Sequence, residues 1–240
     1  MRCCCAWPGA NWDATRMMTT SLSSRVKELE PPPWLYARLA AGGRFRRLYA
    51  RLAADLAPRL PLGGRLLDVG TGPGGLPAVL ACRRPDLTIV GLDLAPAMLR
   101  QGRKLLPPSP PCAAVALVAG DVHALPFPAA AFQAACATFS LHHWEHPLQG
   151  LREMTRVLAP GGVACLYELN GDAYPGQVRA FARAEGLPAL LVWAAVRILG
   201  RRHGLSRARF VSLLDRTAAA HRELAPFHHI FWRCSLTAPN

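Results

Sequence analysis

The stretch LLDVGTGPGG, residues 66–75, constrains this chain more than any other part of it. Apolar residues run into Asp68 and then into a turn that carries Gly70, Gly72, Gly74 and Gly75. A buried strand that ends in a glycine-rich turn and opens a helix is the first unit of an open α/β sheet, and its turn lies at the ligand-binding edge. The glycines alone leave the ligand open. Gly70, Gly72 and Gly75 fit the GxGxxG spacing of a dinucleotide site, while Gly70, Gly72 and Gly74 fit the GxGxG spacing of an S-adenosylmethionine site.

The chain around this unit alternates in the same rhythm. RLLDV (65–69), LTIVGLD (87–93), AAVALVAGD (113–121), FQAACATFS (132–140) and GVACLYEL (162–169) read as five strands. The segment after Gly74, 96–106 and 147–159 read as the helices between them. Short apolar runs separated by helices indicate parallel strands buried on both faces, hence a doubly wound, Rossmann-like α/β sheet. Phe45, Leu48, Leu52 and Leu56 recur at helical spacing within an amphipathic segment from Trp34 to Leu60. That segment forms a cap over 31–60 ahead of a core at 61–170. Beyond Asn170, 177–200 reads as one or two apolar helices within a lid insertion at 171–205. Residues 206–224 read as a helix capped by Ser206, and 228–238 as a last strand. The expectation is a single domain over 31–240 after a disordered tail at 1–30, with Met17 and Met18 as alternative starts.

Composition narrows the partners. The formal charge of +13 divides into +6 over residues 1–60, +1 over 61–170 and +6 over 171–240, so the core is nearly neutral and the excess lies in the flanks. Of 28 basic residues 26 are Arg, which a coding bias produces without a polyanionic partner, and nucleic acid is disfavoured. The eight cysteines form no CxxC pair; Cys82, Cys112, Cys136, Cys165 and Cys234 sit among apolar neighbours and read as small core residues. No metal site is expected. The longest apolar stretch, 187–200, is too short to span a membrane and contains Arg197, so a soluble cytoplasmic protein is expected. The sequence leaves the oligomeric state open.

The carboxylates separate the two readings of the loop. Asp68, Asp93 and Asp121 fall at the ends of the first three strands, on the rim where open sheets bind ligands. A pyrophosphate beside them is penalised: two unit charges about 5 Å apart interact by roughly 3 kcal/mol at an effective dielectric near 20. S-adenosylmethionine carries a sulfonium, an ammonium and a ribose diol, and no phosphate. Asp68 can attract its cationic end, Asp93 can accept from the ribose hydroxyls, and Asp121 with the Val122 N–H can hold the adenine.

Five ordered blocks then resemble one family: LLDVGTGPGG, GLDLAPAMLRQGR, GDVHALPFPAAAF, ATFSLHHW and LREMTRVLAPGGVACLYE. Over residues 45–170 the chain is similar to the class I S-adenosylmethionine-dependent methyltransferases, specifically the small-molecule subgroup called type 11. The resemblance implies cofactor contacts from Asp68, Gly70, Thr71, Gly72, Gly74, Asp93, Leu94, Met98, Asp121, Val122 and Thr138. It departs from the family where acidic residues and Phe-Asp usually precede the fourth strand; here Ala129, Ala130 and Ala131 lead into Phe132-Gln133.

The acceptor side is read from the residues just after the fourth strand. The Asn/Asp-Pro-Pro-aromatic turn typical of amine and base methylases is replaced by ATFS, which favours an oxygen or carbon acceptor on a small, hydrophobic molecule. His142 and His143 are the candidate general bases, since an imidazole can take a phenolic or enolic proton. The spacing of His142, His143 and His146 also permits a metal reading, for which this chemistry has no need. The apolar helix at 187–200 with Arg201 and Arg202 suggests a lid or a peripheral membrane contact, though burial against the sheet is the simpler expectation. A nicotinamide oxidoreductase and a non-catalytic module binding S-adenosylmethionine or RNA are the alternatives.

Overall fold

The computed structural model describes residues 42–239, apart from the side chains of Arg44, Arg201 and Arg202. The expected tail at 1–30 and the first part of the cap, 31–41, lie outside the described residues. Seven strands form one sheet in the order β3-β2-β1-β4-β5-β7-β6. They are β1 (Arg65–Val69), β2 (Thr88–Asp93), β3 (Ala114–Ala119), β4 (Phe132–Thr138), β5 (Leu158–Leu169), β6 (His221–Phe227) and β7 (Phe231–Thr237). β1 to β5 pair in parallel, whereas β7 runs antiparallel to β5 and to β6. The strand order reverses between β1 and β4, which opens a crevice at their carboxyl ends.

Residue alternation assigns the two faces. Leu66, Ile89, Ala134, Cys136, Cys165 and Tyr167 join a core cluster with α1 (Gly43–Leu56) and α2 (Gly75–Arg83). Tyr49, Leu52, Ala53 and Leu56 of α1 enter this cluster, so the periodicity read from the sequence marks the buried face of the cap helix. On the opposite side α4 (Pro147–Val157) buries Leu151, Met154 and Val157, while α3 (Pro96–Gly102) stays on the α2 side, burying Leu99 and setting Gly102 against Leu117 of β3. Tyr167 hangs from β5 under α1, where its hydroxyl donates to Asp55 at 2.8 Å, and Arg233 of β7 reaches the same carboxylate at 3.2 Å. This contact fastens the cap helix to the middle of the sheet.

After β5 the chain forms α5 (Pro175–Glu185), α6 (Ala189–His203) and α7 (Arg207–Leu214). Glu185, at the end of α5, accepts from Arg51 of α1 at 3.0 Å and pairs with His228 of the β6–β7 turn at 2.7 Å. A buried carboxylate shared by two elements holds the helical insertion in place. α6 differs from the simple expectation of a buried helix. Val192 is buried, but Leu190, Leu191, Trp193, Ile198 and Leu199 are exposed, and Arg197 lies 5.2 Å over the Trp193 ring. Among the described residues no helix is long and apolar enough to cross a membrane.

Several boundaries move. The helix expected over 206–224 ends at Leu214, and His221–Phe227 forms the sheet's edge strand instead. Ser206 still caps it, accepting from the Arg209 N–H. Pairing with β7 decides the change; Pro226 is tolerated there because β6 is an edge strand, and Glu223 is paired across the hairpin with Arg233 at 2.9 Å. β5 starts at Leu158, bulging at Pro160–Gly162 before it resumes pairing at Val163. The missing acidic residues before β4 are replaced locally, since Gln133 accepts from the Arg65 N–H at 3.0 Å. Cys82 and Cys112 are not two free core thiols; they form a disulfide between the end of α2 and the approach to β3.

Replacing Tyr167 by Phe is expected to destabilise the fold by about 1–2 kcal/mol through loss of the bond to Asp55. Chemical denaturation of the two proteins checks this.

Candidate functional site

The glycine loop is built around β1 and β2. Gly70 and Thr71 both donate to the Leu92 carbonyl, at 2.8 and 2.9 Å, so the chain folds over the end of β2 before α2 begins. Gly70, Gly72 and Gly74 all have left-handed backbones, with φ of 70°, 55° and 70°. At Gly70 a methyl group would also overlap the side chain of Ser140, so only glycine meets both conditions there.

Two of the expected aspartates hold this loop. Asp68, 2% exposed, accepts from the Thr71 hydroxyl at 2.6 Å and from the Cys136 thiol at 3.3 Å. Burial pushes its carboxyl up to about 6, against the opposing pull of those two hydrogen bonds. Asp93 accepts from the Gly72 N–H at 2.7 Å through one oxygen and from the Ala95 N–H at 2.8 Å through the other. Its carboxyl is also raised, first by burial. Asp93 therefore shapes the loop as well as facing the rim, and these bonds use two of the roughly four acceptor positions of its carboxylate. Leu94 and Met98 are half-buried at the start of the following segment.

Asp121 does not close a strand, because β3 ends at Ala119. It caps a short 3-10 turn, Val122–Ala124, and one of its oxygens takes both the His123 N–H at 2.9 Å and the His123 ring Nδ1 at 2.6 Å. At the end of β4, Thr138 Oγ1 is buried and has no hydrogen-bond partner among the described residues. A hydroxyl in that condition marks a place where a polar ligand atom is wanted.

The two histidines separate. The turn Leu141–His143 comes after β4, and His142 Nδ1 lies 2.7 Å from a carboxylate oxygen of Glu168. Glu168, near the end of β5, is completely buried, and its other oxygen accepts from the Leu141 N–H at 2.7 Å. Burial raises its carboxyl, opposed by His142 and by these backbone bonds. His143 is exposed beside His142, with ring centroids 4.0 Å apart. His146 turns away: its N–H donates to His123 Nε2 at 3.1 Å. The third imidazole near the pair is His203, from the end of α6, 4.8 Å from His142 and 5.4 Å from His143 between ring centroids.

Sequence reasoning passes over Glu168 and His203. A signal for Glu168 is present in VACLYEL, where a carboxylate ends an apolar strand and so requires a buried partner. His203 carries no local signal, because α6 brings it back from 60 residues beyond His143.

These features suit S-adenosylmethionine: a desolvated carboxylate under the loop, a second at the end of β2, a third past β3, and an unpartnered buried hydroxyl at the end of β4. An open parallel sheet with such a rim defines a nucleoside-binding α/β enzyme that works on a cationic ligand. The family model for the methyltransferase domain matches residues 67–166. A ubiquinone/menaquinone biosynthesis C-methyltransferase from Citrifermentans bemidjiense is 33% identical over 163 residues, covering 59% of this chain and 69% of that protein. A demethylmenaquinone methyltransferase from Thermus thermophilus is 37% identical over 138 residues, covering 56% of this chain and 60% of that protein's length. A solved S-adenosylmethionine-dependent methyltransferase from Aquifex aeolicus superposes with a TM-score of 0.63 at 16% identity, over 87% of this chain and 99% of that one. The chain belongs to the class I S-adenosylmethionine-dependent methyltransferases.

Asp68 generates a prediction. Its folded carboxyl, at about 6, lies above the ordinary value of 3.8, so the folded state binds this proton more tightly than the unfolded state does. The resulting penalty is full above pH 6 and vanishes as pH falls toward 4, with an upper bound of about 3 kcal/mol. Asp68→Asn is expected to raise the melting temperature of the ligand-free protein at pH 7.5. Melts repeated down to pH 5 should show that advantage shrinking.

Proposed function

We propose that this protein transfers a methyl group from S-adenosylmethionine to a carbon or oxygen of a small apolar acceptor that must first lose a proton, such as a phenolic or enolic ring. The observation that carries this reading is the pair formed by His142 and Glu168. With Nδ1–H held by a buried carboxylate, the imidazole presents Nε2 as its proton-accepting atom, and the carboxylate stabilises the imidazolium that results. A carboxylate acceptor would be ionised already and would leave such a base without a task. Glu168 meets His142 with one oxygen and the Leu141 N–H with the other, and the exposed His143 stands beside this pair.

The cofactor supplies a carbon activated by its sulfonium, so this chain's residues position the acceptor and take its proton. In this reading the amides of the Gly70–Gly74 turn and Asp68, with Thr71 fixing that carboxylate, hold the methionine end. Asp93 takes the ribose hydroxyls on its remaining acceptor positions, with Leu94 and Met98 lining the nucleoside. Asp121 and the Val122 N–H hold the adenine, and Thr138 Oγ1 gains a partner. The names of the two curated relatives point to quinones, whose reduced quinol forms are aromatic rings with ionisable hydroxyls and suit the same pair. The exposed apolar side of α6 suits an acceptor that arrives from a lipid phase.

His142→Ala is expected to lower kcat by about 10²–10⁴-fold while S-adenosylmethionine affinity holds, and His143→Ala to leave kcat close to that of the parent. Turnover of a naphthoquinol or simple phenol, measured by mass spectrometry, reads this. Unchanged turnover in His142→Ala would remove the base. Failure of the purified protein to bind S-adenosylmethionine on titration would remove the whole reading. A second expectation concerns Asp68→Asn, which should weaken S-adenosylmethionine binding by about tenfold, since it deletes a charge facing a cation in a site of low dielectric.

A further inference from the structure

The imidazoles of His142, His143 and His203 stand together although they come from two separate elements. One ligand-capable nitrogen from each ring lies within 4.8 Å of those of the other two. Two of the rings belong to the turn after β4 and the third to the last residue of α6. A tetrahedral zinc ion with Zn–N bonds of about 2.0–2.1 Å needs its nitrogens about 3.3 Å apart, so the three rings must draw closer to take up an ion.

The backbone on both sides of the cluster is fixed. Just beyond His203, Leu205 donates to the Leu169 carbonyl at 3.0 Å and accepts from the Gly171 N–H at 3.0 Å. Gly204 packs so closely on Gly171 that an added Cβ would stand 2.8 Å from its Cα. The end of α6 is thereby pinned to the end of β5, next to Glu168. Glu168 in turn holds His142 Nδ1, which leaves Nε2 as that ring's coordinating atom. A histidine ligand steered by a buried carboxylate is the usual support of a zinc site.

We infer that His142, His143 and His203 form a site for a divalent transition metal of the zinc type, and that the metal inhibits methyl transfer by occupying the nitrogen of His142. The inhibitory part rests on the reading of His142 as the base; the binding part does not. Imidazole donors favour zinc, copper and nickel over magnesium or calcium, which prefer oxygen ligands. Occupation would also tie α6 to the rim of β4, so a bound ion closes the acceptor side while it silences the base.

The test uses the untagged full chain, titrated with Zn²⁺ by calorimetry in a buffer that does not chelate metals. His203→Gln and His143→Gln are each expected to weaken the zinc binding step by about tenfold or more. Zn²⁺ should suppress turnover of the parent, EDTA should restore it, and His203→Gln should turn over at the parent rate with its zinc sensitivity lost. Mg²⁺ at the same concentration should leave all three proteins unaffected. Equal zinc affinity in the parent and both variants overturns the site. Tight, His203-dependent binding that leaves turnover unchanged or raises it overturns the inhibitory assignment, whereas an inactive parent that still binds zinc through His203 counts against the proposed methyl transfer alone.

Discussion

Carboxylates buried at the ends of parallel strands are what the rest of this structure answers to. Asp68 on β1 and Glu168 on β5 are almost wholly removed from water, and burial raises both carboxyl groups. An unpaired charge in such a place costs several kcal/mol, so each must be met by donors, by a cation or by a proton. The two are met differently. Asp68 has a hydroxyl and a thiol, both neutral donors, and among the described residues no cationic side chain bonds to it. Glu168 has an imidazole and a backbone amide. A carboxylate left short of positive charge suits a cationic ligand, and one that holds an imidazole suits proton transfer. In the proposed reading, the division between a cofactor half and an acceptor half of the crevice comes from that difference.

Sheet topology converts these local pairs into one site. β1 lies between β2 and β4, and β4 lies between β1 and β5, so Asp93, Asp68, Thr138 and Glu168 succeed one another along a single rim. The partners come from the loops after each strand. Thr71 and Gly72 belong to the loop after β1, and Leu141 and His142 to the turn after β4. The carboxylates on β2 and β5 are thus met by the loop that leaves a neighbouring strand, which fixes the loops to the sheet and to each other. Moving one loop would unmake a buried bond at the adjacent strand, and this coupling keeps the rim in register.

How much of this is legible in the sequence depends on whether the signal is local. Leu66, Leu67 and Val69, or Ile89, Val90 and Leu92, are buried strand residues because an apolar run in a parallel sheet is covered on both faces, and that is visible in the run itself. The glycine loop and the Ser206 cap are equally local. His221–Phe227 is ambiguous because its charged residues fit the polar side of a helix as well as the exposed edge of a sheet, and only the antiparallel pairing with β7 decides between them. Asp121 lies just past the strand it is expected to close for a related reason: strand ends and turn caps both favour a short carboxylate. The pairing of His142 with Glu168 spans 26 residues and two strands, so reading it requires knowing that β4 and β5 are neighbours. The Cys82–Cys112 disulfide likewise joins a helix to a strand approach 30 residues later.

The helical insertion shows why a motif's spacing can mislead where its chemistry does not. HHxxH places His142, His143 and His146 close in sequence, but the chain direction after Trp144 sends His146 toward His123, on the Asp121 side of the sheet. The place beside His142 and His143 is filled instead by His203, because Gly171 and Gly204 let the backbones of the β5 exit and the α6 end pack in contact. A side chain at either glycine would push α6 outward and take His203 with it. In the proposed reading the acceptor side of the crevice is set by two glycines that carry no chemistry of their own, together with the buried Glu185 that clasps α5 to Arg51 and His228.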